Sequence, residues 1–191
     1  MNIIYRLFIN LILLISPIII VFRILRGKEN YLRFKERFSI NSRSRPKGKL
    51  IWFHAASIGE FNSILPILSE LNKKQYYEFL ITTTTLSSSL LAGDLLKGMS
   101  NVQHRFLPLD VKFLIDKFVN LWEPNLIFLV DSEVWPNLLL KVNKEKIPLT
   151  LLNGRITHKT YKRWKLFPET AKKIFGLFDL CLASNLETKK Y

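Results

Sequence analysis

Short apolar runs alternate with longer stretches of helical periodicity through most of this chain. The runs at 50–53, 78–82, 102–106, 125–130, 148–152 and 180–183 have strand length and composition. Between them, residues 61–71, 87–96, 111–122, 136–145 and 169–176 carry apolar side chains at helical spacing, as in the stripe Val111, Leu114, Ile115, Phe118 and Val119. Pro136 suits a first helical turn and Gly98 a helix stop. Strands alternating with helices predict an α/β fold: a Rossmann-like parallel sheet covered by helices.

The first part of the chain departs from this pattern. Residues 7–22 read LFINLILLISPIIIVF without an ionisable group, and extension back to Ile3 gives a helix of about 30 Å, enough to cross a bilayer core. Asn10, Ser16 and Pro17 are tolerated there when neighbouring groups satisfy the backbone. The first alanine is Ala55, so the small-residue site of a cleavable signal is missing. The expectation is a single-pass anchor over 1–22, a basic juxtamembrane linker over 23–49 and a globular domain over 50–191. Arg23, Arg26, Lys28, Arg33, Lys35 and Arg37 follow the apolar stretch, which puts the globular part in the cytoplasm, beside anionic membrane lipids.

Charge sharpens this picture. The 191 residues carry a net +14, with +8 over 23–49, −3 over 51–140 and +8 over 141–191. A hydrophobic content of 48% excludes a disordered polyelectrolyte, and the length suits one domain. The single cysteine, Cys181, excludes an intrachain disulfide, and His54, His104 and His158 lie too far apart for metal-ligand spacing, so neither cofactor nor metal is expected. With no nucleic-acid motif, no Gly-x-Gly-x-x-Gly and no Walker loop, nucleic-acid binding, dinucleotide binding and NTP hydrolysis lack support.

Polar residues cluster after the carboxyl ends of the expected strands, the edge where open parallel sheets bind ligands. After the first comes His54-Ala55-Ala56-Ser57-Ile58-Gly59-Glu60. Ser57 and Glu60 have capping-box spacing, which accounts for both structurally; the alternative is a small-residue turn open to a ligand, with Glu60 accepting a proton from a hydroxyl nucleophile. His54 reads as a hydrogen-bonded structural residue or as a base. The threonines at 82–85, Thr83 among them, offer hydroxyls to a phosphate or simply end a strand. In Asp131-Ser132-Glu133-Val134-Trp135-Pro136-Asn137, one carboxylate suits a helix amino terminus and the second exceeds that need, while Trp135 reads as a packing anchor. Asn153-Gly154-Arg155 adds a cation able to fork onto a phosphate or carboxylate.

The ordered set His54-Ala55-x-Ser57-x-Gly59-Glu60, Thr82 through Thr85, Pro108-x-Asp110, Glu133-x-Trp135-Pro136-Asn137 and Asn153-x-Arg155 resembles the amino-terminal half of a Kdo (3-deoxy-D-manno-octulosonic acid) transferase. The resemblance covers nearly the whole chain. It implies the first domain of a two-domain GT-B glycosyltransferase that moves Kdo from CMP-Kdo to a lipid A precursor at the inner face of the cytoplasmic membrane, without a divalent metal. It implies Glu60 as general base, Glu133 as a second essential carboxylate, and Ser57, Gly59, Thr83 and Arg155 on the acceptor. Asp131, Gly154 and Ser88 depart from the usual family residues. A nucleotide-sugar domain is expected from elsewhere, in a longer protein or a separate carboxyl-terminal chain; the alternatives are a non-catalytic, membrane-tethered lipid-binding module and a truncated relic.

Overall fold

In a computed structural model, residues 3–40, 44–74 and 76–190 are described. Six strands form one all-parallel sheet: β1 (Lys49–His54), β2 (Tyr77–Thr83), β3 (Val102–Phe106), β4 (Leu126–Val130), β5 (Leu149–Gly154) and β6 (Leu180–Ala183), in the order β3-β2-β1-β4-β5-β6. The chain therefore steps outward from β1 to β3, returns to lay β4 on the other side of β1, and steps outward again. The strand order reverses between β1 and β4, so their carboxyl ends diverge into a crevice.

Alternation along each strand feeds two cores. Leu50 and Trp52 of β1 face α4 (Lys112–Trp122) and α5 (Pro136–Lys144), joining Phe118, Trp122, Leu138 and Val142. Ile51 and Phe53 face the opposite layer, with Phe61, Ile64 and Leu68 of α2 (Ile58–Asn72) and Ala92 of α3 (Leu86–Leu95). Both faces of the central strands are thus buried, as a parallel sheet requires. The remaining helices are α1 (Ile3–Leu25), α6 (His158–Trp164), α7 (Pro168–Phe175) and α8 (Leu186–Lys190). All six expected strands form within a residue or two of their expected bounds; α6 is not among the expected helices, and Thr157 caps it by accepting from the Thr160 amide.

The amino-terminal region differs from expectation. Among the described residues no helix is long and apolar enough to cross a membrane, so a single-pass anchor over 1–22 is not supported. The segment is helical, but Ser16 and Ile20 are buried, and the Tyr5 hydroxyl donates to Asp110 Oδ2 at 2.6 Å. The side chain of Arg6, just before the apolar stretch, lies outside the described residues.

The basic stretch that follows is in part a packed element. A 3-10 turn (Phe34–Phe38) docks on the β3 edge with Glu29, Glu36, Arg37 and Ser39 all buried. Arg23 and Arg37 pair with Glu29, and Arg33 pairs with Glu36, whose Oε2 accepts from the Phe106 amide at 2.8 Å. Some of the charges expected in a juxtamembrane linker thus pair internally and help cover the β3 edge.

Candidate functional site

The two carboxylates singled out in the sequence flank the crevice between β1 and β4. Glu60 sits in the first turn of α2, one loop beyond the end of β1. The Ser57 hydroxyl oxygen accepts from the Glu60 amide at 3.3 Å and donates to Glu60 Oε1 at 2.7 Å, while Glu60 Oε2 accepts from the Ala56 amide at 2.8 Å. The capping box exists, and the carboxylate it holds is only half-buried. Burial pushes the Glu60 pKa up, with the Glu133 charge adding to it, against the bonds from Ser57 and Ala56 and the nearby His54. A carboxyl group raised this way is a better proton acceptor than a solvated one.

Glu133 follows β4. Its Oε2 accepts from Trp135 Nε1 at 2.6 Å and lies 3.3 Å from His54 Nε2, with 19% of the side chain exposed. Trp135 also packs against the core, so its ring anchors the turn and its indole orients the carboxylate. Pro136 occupies the first turn of α5. Asp110 secures that turn by accepting from the Asn137 and Leu138 amides at 2.9 Å each, a cap contributed from the loop between β3 and the neighbouring helix α4. Burial pushes the Asp110 pKa up, and these bonds together with the one from Tyr5 oppose the rise.

The four consecutive threonines each have a separate task. Thr82 accepts from Trp52 Nε1 and contacts His54 Nδ1; Thr83 meets His104 Nε2 at 3.0 Å; Thr84 donates to the Ala56 carbonyl; Thr85 caps α3. Thr83, expected on the acceptor, is fully buried, with its hydroxyl against His104. Arg37, also buried, donates to the Thr84 carbonyl at 2.5 Å and so braces the loop that in turn holds Ala56.

Gly59 is exposed, and a Cβ built there would find only Ser57 Oγ, at 4.0 Å. Internal packing therefore does not demand glycine at this position, and a side chain would project into solvent at the crevice mouth. Gly154 is the opposite case, since a Cβ there would come within 2.9 Å of Leu151 Cδ2. Asp131 and Asn153, at the ends of β4 and β5, both take left-handed backbone (φ of 61° and 53°), a conformation that costs energy in residues with side chains and turns the chain sharply at the crevice. Arg155 is exposed, its carbonyl accepts from the Ser132 hydroxyl at 2.6 Å, and it helps line a cavity of about 240 Å³ with Asp131, Ser132, Trp164 and Lys189. Glu60 and Glu133 do not line that cavity. The structure thus brings Ser57, Gly59, Glu60 and Glu133 to the β1–β4 side of the edge and Arg155 to the β5–β6 side.

Two participants were missed in the sequence: Thr82 as the support of His54, and Asp110 as the α5 cap. Their signal was position, since both fall at strand ends. Among the described residues no group of three His, Cys, Asp or Glu side chains is arranged to hold a metal ion.

Comparison with known proteins decides the family. The family described as 3-deoxy-D-manno-octulosonic-acid transferase (kdotransferase) matches residues 32–191. This chain belongs to the Kdo transferase family. Among its Kdo transferase relatives, an Arabidopsis thaliana protein named as a probable mitochondrial 3-deoxy-D-manno-octulosonic acid transferase is 42% identical over 166 residues, covering 84% of this chain and 36% of that protein. The 3-deoxy-D-manno-octulosonic acid transferase of Rickettsia bellii is 35% identical over 84% of this chain and 38% of its own length, and that of Haemophilus influenzae 28% over 95% and 44%. This Kdo transferase chain therefore spans less than half the length of those relatives. Crystal structures of UDP-N-acetylglucosamine 2-epimerases share the fold at TM-scores of 0.53 and, for the Neisseria meningitidis enzyme, 0.50, with 14% and 15% identity over 75% and 74% of this chain and 44% and 42% of theirs.

Proposed function

We propose that the chain is the acceptor-binding half of a GT-B glycosyltransferase that transfers Kdo from CMP-Kdo to a lipid A precursor, lipid IVA, at the cytoplasmic side of the inner membrane. The observation that carries this reading is the pair of carboxylates at the strand-order reversal, Glu60 after β1 and Glu133 after β4, with the Glu60 pKa raised. In the reaction, the acceptor hydroxyl gives its proton to the Glu60 carboxylate as its oxygen bonds to the anomeric carbon of Kdo. The bond from that carbon to the CMP phosphate oxygen breaks, and its electron pair leaves with CMP. Glu133, fixed by Trp135 and His54, holds a sugar hydroxyl next to that base. The turn from Ser57 to the exposed Gly59 lets the sugar approach closely, and Arg155 receives an anionic group of the acceptor. The nucleotide sugar is held by the part of the relatives that this chain does not cover.

Reconstitution tests the proposal. Membranes containing this chain and a separately supplied carboxyl-terminal half of a relative are expected to transfer radiolabelled Kdo from CMP-Kdo to lipid IVA, and neither part alone to do so. Lipid IVA binding by the chain without transfer in the combined system would instead favour a lipid-binding module.

A further inference from the structure

Helices α6 and α7 leave a hollow beside β5 and β6. Helix α6 buries none of its residues and α7 only Ile174, although a helix laid on a sheet ordinarily seals one face against it. The space is lined by their aromatic side chains. Trp164, half-buried, meets the Phe175 ring edge-on at 5.2 Å and borders three cavities, of about 240, 420 and 560 Å³. The first two also share Ile156 and Phe175, so the three form one bent crease around the Trp164 ring. At one end of the crease stand Arg155 and the pair Asp131 and Ser132, which immediately precede Glu133. The other end runs between α5 and α7, past Leu140 and Ile174.

The crease is apolar inside and cationic at its openings. Val134 and Leu151 wall the first cavity, Pro168 and Ala171 the second. Apolar surface left open in this way is unfavourable by about 25 cal/mol per Å², which an apolar occupant removes. The exposed Arg155 and Lys189 flank the first cavity, Lys165 and Lys172 the second and Lys173 the third, against the carboxylates of Asp131 and Glu169 alone. Lys165 Nζ lies 5.2 Å from the Tyr161 ring, which holds that cation at its opening. A protein segment threaded around Trp164 would carry backbone amides and carbonyls into walls that offer few partners. A hydrocarbon chain has no such groups to satisfy and bends freely, and an anionic head attached to it would meet the cations.

We infer that this crease holds one acyl chain of the acceptor glycolipid, with the acceptor's anionic group at Arg155 and the chain passing Trp164. The inference rests on the acceptor-binding role proposed above and adds to it the place where the acceptor's hydrocarbon is recognised.

Photolabelling of the full chain in phosphatidylcholine vesicles tests it. The probe is a glucosamine phosphate bearing one myristoyl chain with a terminal diazirine; after irradiation the labelled peptides are identified by mass spectrometry. Label is expected within residues 156–175, at least about tenfold above that left by the same glycolipid without its phosphate. Ala171→Trp, which fills the second cavity, is expected to cut labelling by a similar factor while keeping the thermal melt. So is the double variant Lys165→Glu, Lys172→Glu, which alters exposed positions only and leaves the core untouched. Label on α1 or scattered along the chain, equal labelling by the phosphate-free glycolipid, or undiminished labelling of either variant would overturn the inference. The readout is binding, so it separates from catalysis: the expected labelling without Kdo transfer would support the crease and count against the proposed chemistry, whereas transfer with the label elsewhere would overturn the crease alone.

Discussion

His54 Nε2 lies 3.3 Å from Glu133 Oε2, joining the ends of two strands that are neighbours in the sheet and more than seventy residues apart in the chain. The partners of the ring set its proton. Trp52 Nε1 donates to Thr82 Oγ1 at 2.8 Å, that oxygen and the Thr82 carbonyl lie 2.9 and 3.2 Å from His54 Nδ1, and the Glu133 carboxylate, which only accepts, faces His54 Nε2, so Nε2 carries a proton pointed at Glu133. A fully buried relay from Trp52 through Thr82 and His54 thus fixes a carboxylate at the crevice.

Breaking the relay is expected to cost stability. His54→Phe keeps the ring shape but leaves the buried Thr82 without its ring partner and Glu133 without one donor. Urea denaturation of the chain should show a loss of about 1–3 kcal/mol; a change below about 0.5 kcal/mol would show the relay to be dispensable.

The raised Glu60 pKa gives a signed pH dependence. A carboxyl group whose folded pKa lies above its unfolded value contributes stability below the unfolded pKa and loses it as pH rises through the folded one. The stability of Glu60→Gln relative to the parent should therefore climb as pH rises through the carboxylate range and level off above it. Denaturation curves collected from pH 4 to pH 8 check this, and a difference that falls instead would mean that the Ala56 and Ser57 bonds outweigh burial.

His104 has the opposite sign. Burial first, then Arg33, Arg105 and Arg37, lower its pKa to about 3, so its contribution is present above the unfolded value near 6.5 and lost as pH falls. Acidification should cost roughly 1.4 kcal/mol per pH unit from this group between about 6.5 and 3. The ring should remain unprotonated by NMR at pH 5; a midpoint near 6.5 would contradict the buried placement.

Arg37 ties the segment before β1 to the crevice loop through Glu29 and the Thr84 carbonyl. Arg37→Met leaves the buried Glu29 with Arg23 alone and the Thr84 carbonyl without its donor, and is expected to destabilise the chain by about 1–3 kcal/mol. Replacing Lys73, whose partner Glu70 is as exposed as itself, should cost under about 1 kcal/mol in the same urea titration. Equal costs would show that the segment is not packed as described.

The sheet was legible in the sequence because each strand is a compact apolar run bounded by polar turns, and the carboxyl-edge residues followed from strand direction. The crevice at the strand-order reversal was not, since order depends on where β4 returns and no local pattern records that. Hydropathy overrated the first helix for a related reason: it sums over all sides, and Ser16 and Ile20 face protein while Leu14 and Ile18 do not. Arg33 and Arg37 read as part of a basic linker facing lipid because nothing local shows that they pair with Glu36 and Glu29 and reach other elements. Helix α6, HKTYKRW, buries no residue, so it had no apolar stripe to reveal it. The surroundings of Thr83 were not legible because a strand-end hydroxyl can face the crevice or the layer beneath, and its partner His104 lies twenty-one residues on.

The central claim is that the half-buried carboxylate of Glu60 takes the acceptor proton. Its most direct test is the rate of Kdo transfer from CMP-Kdo to lipid IVA by Glu60→Gln against the parent, in the same reconstituted membranes with matched folding by circular dichroism. The account predicts a kcat lower by about 10²–10⁴ with KM for the acceptor little changed; a kcat within twofold of the parent would contradict it.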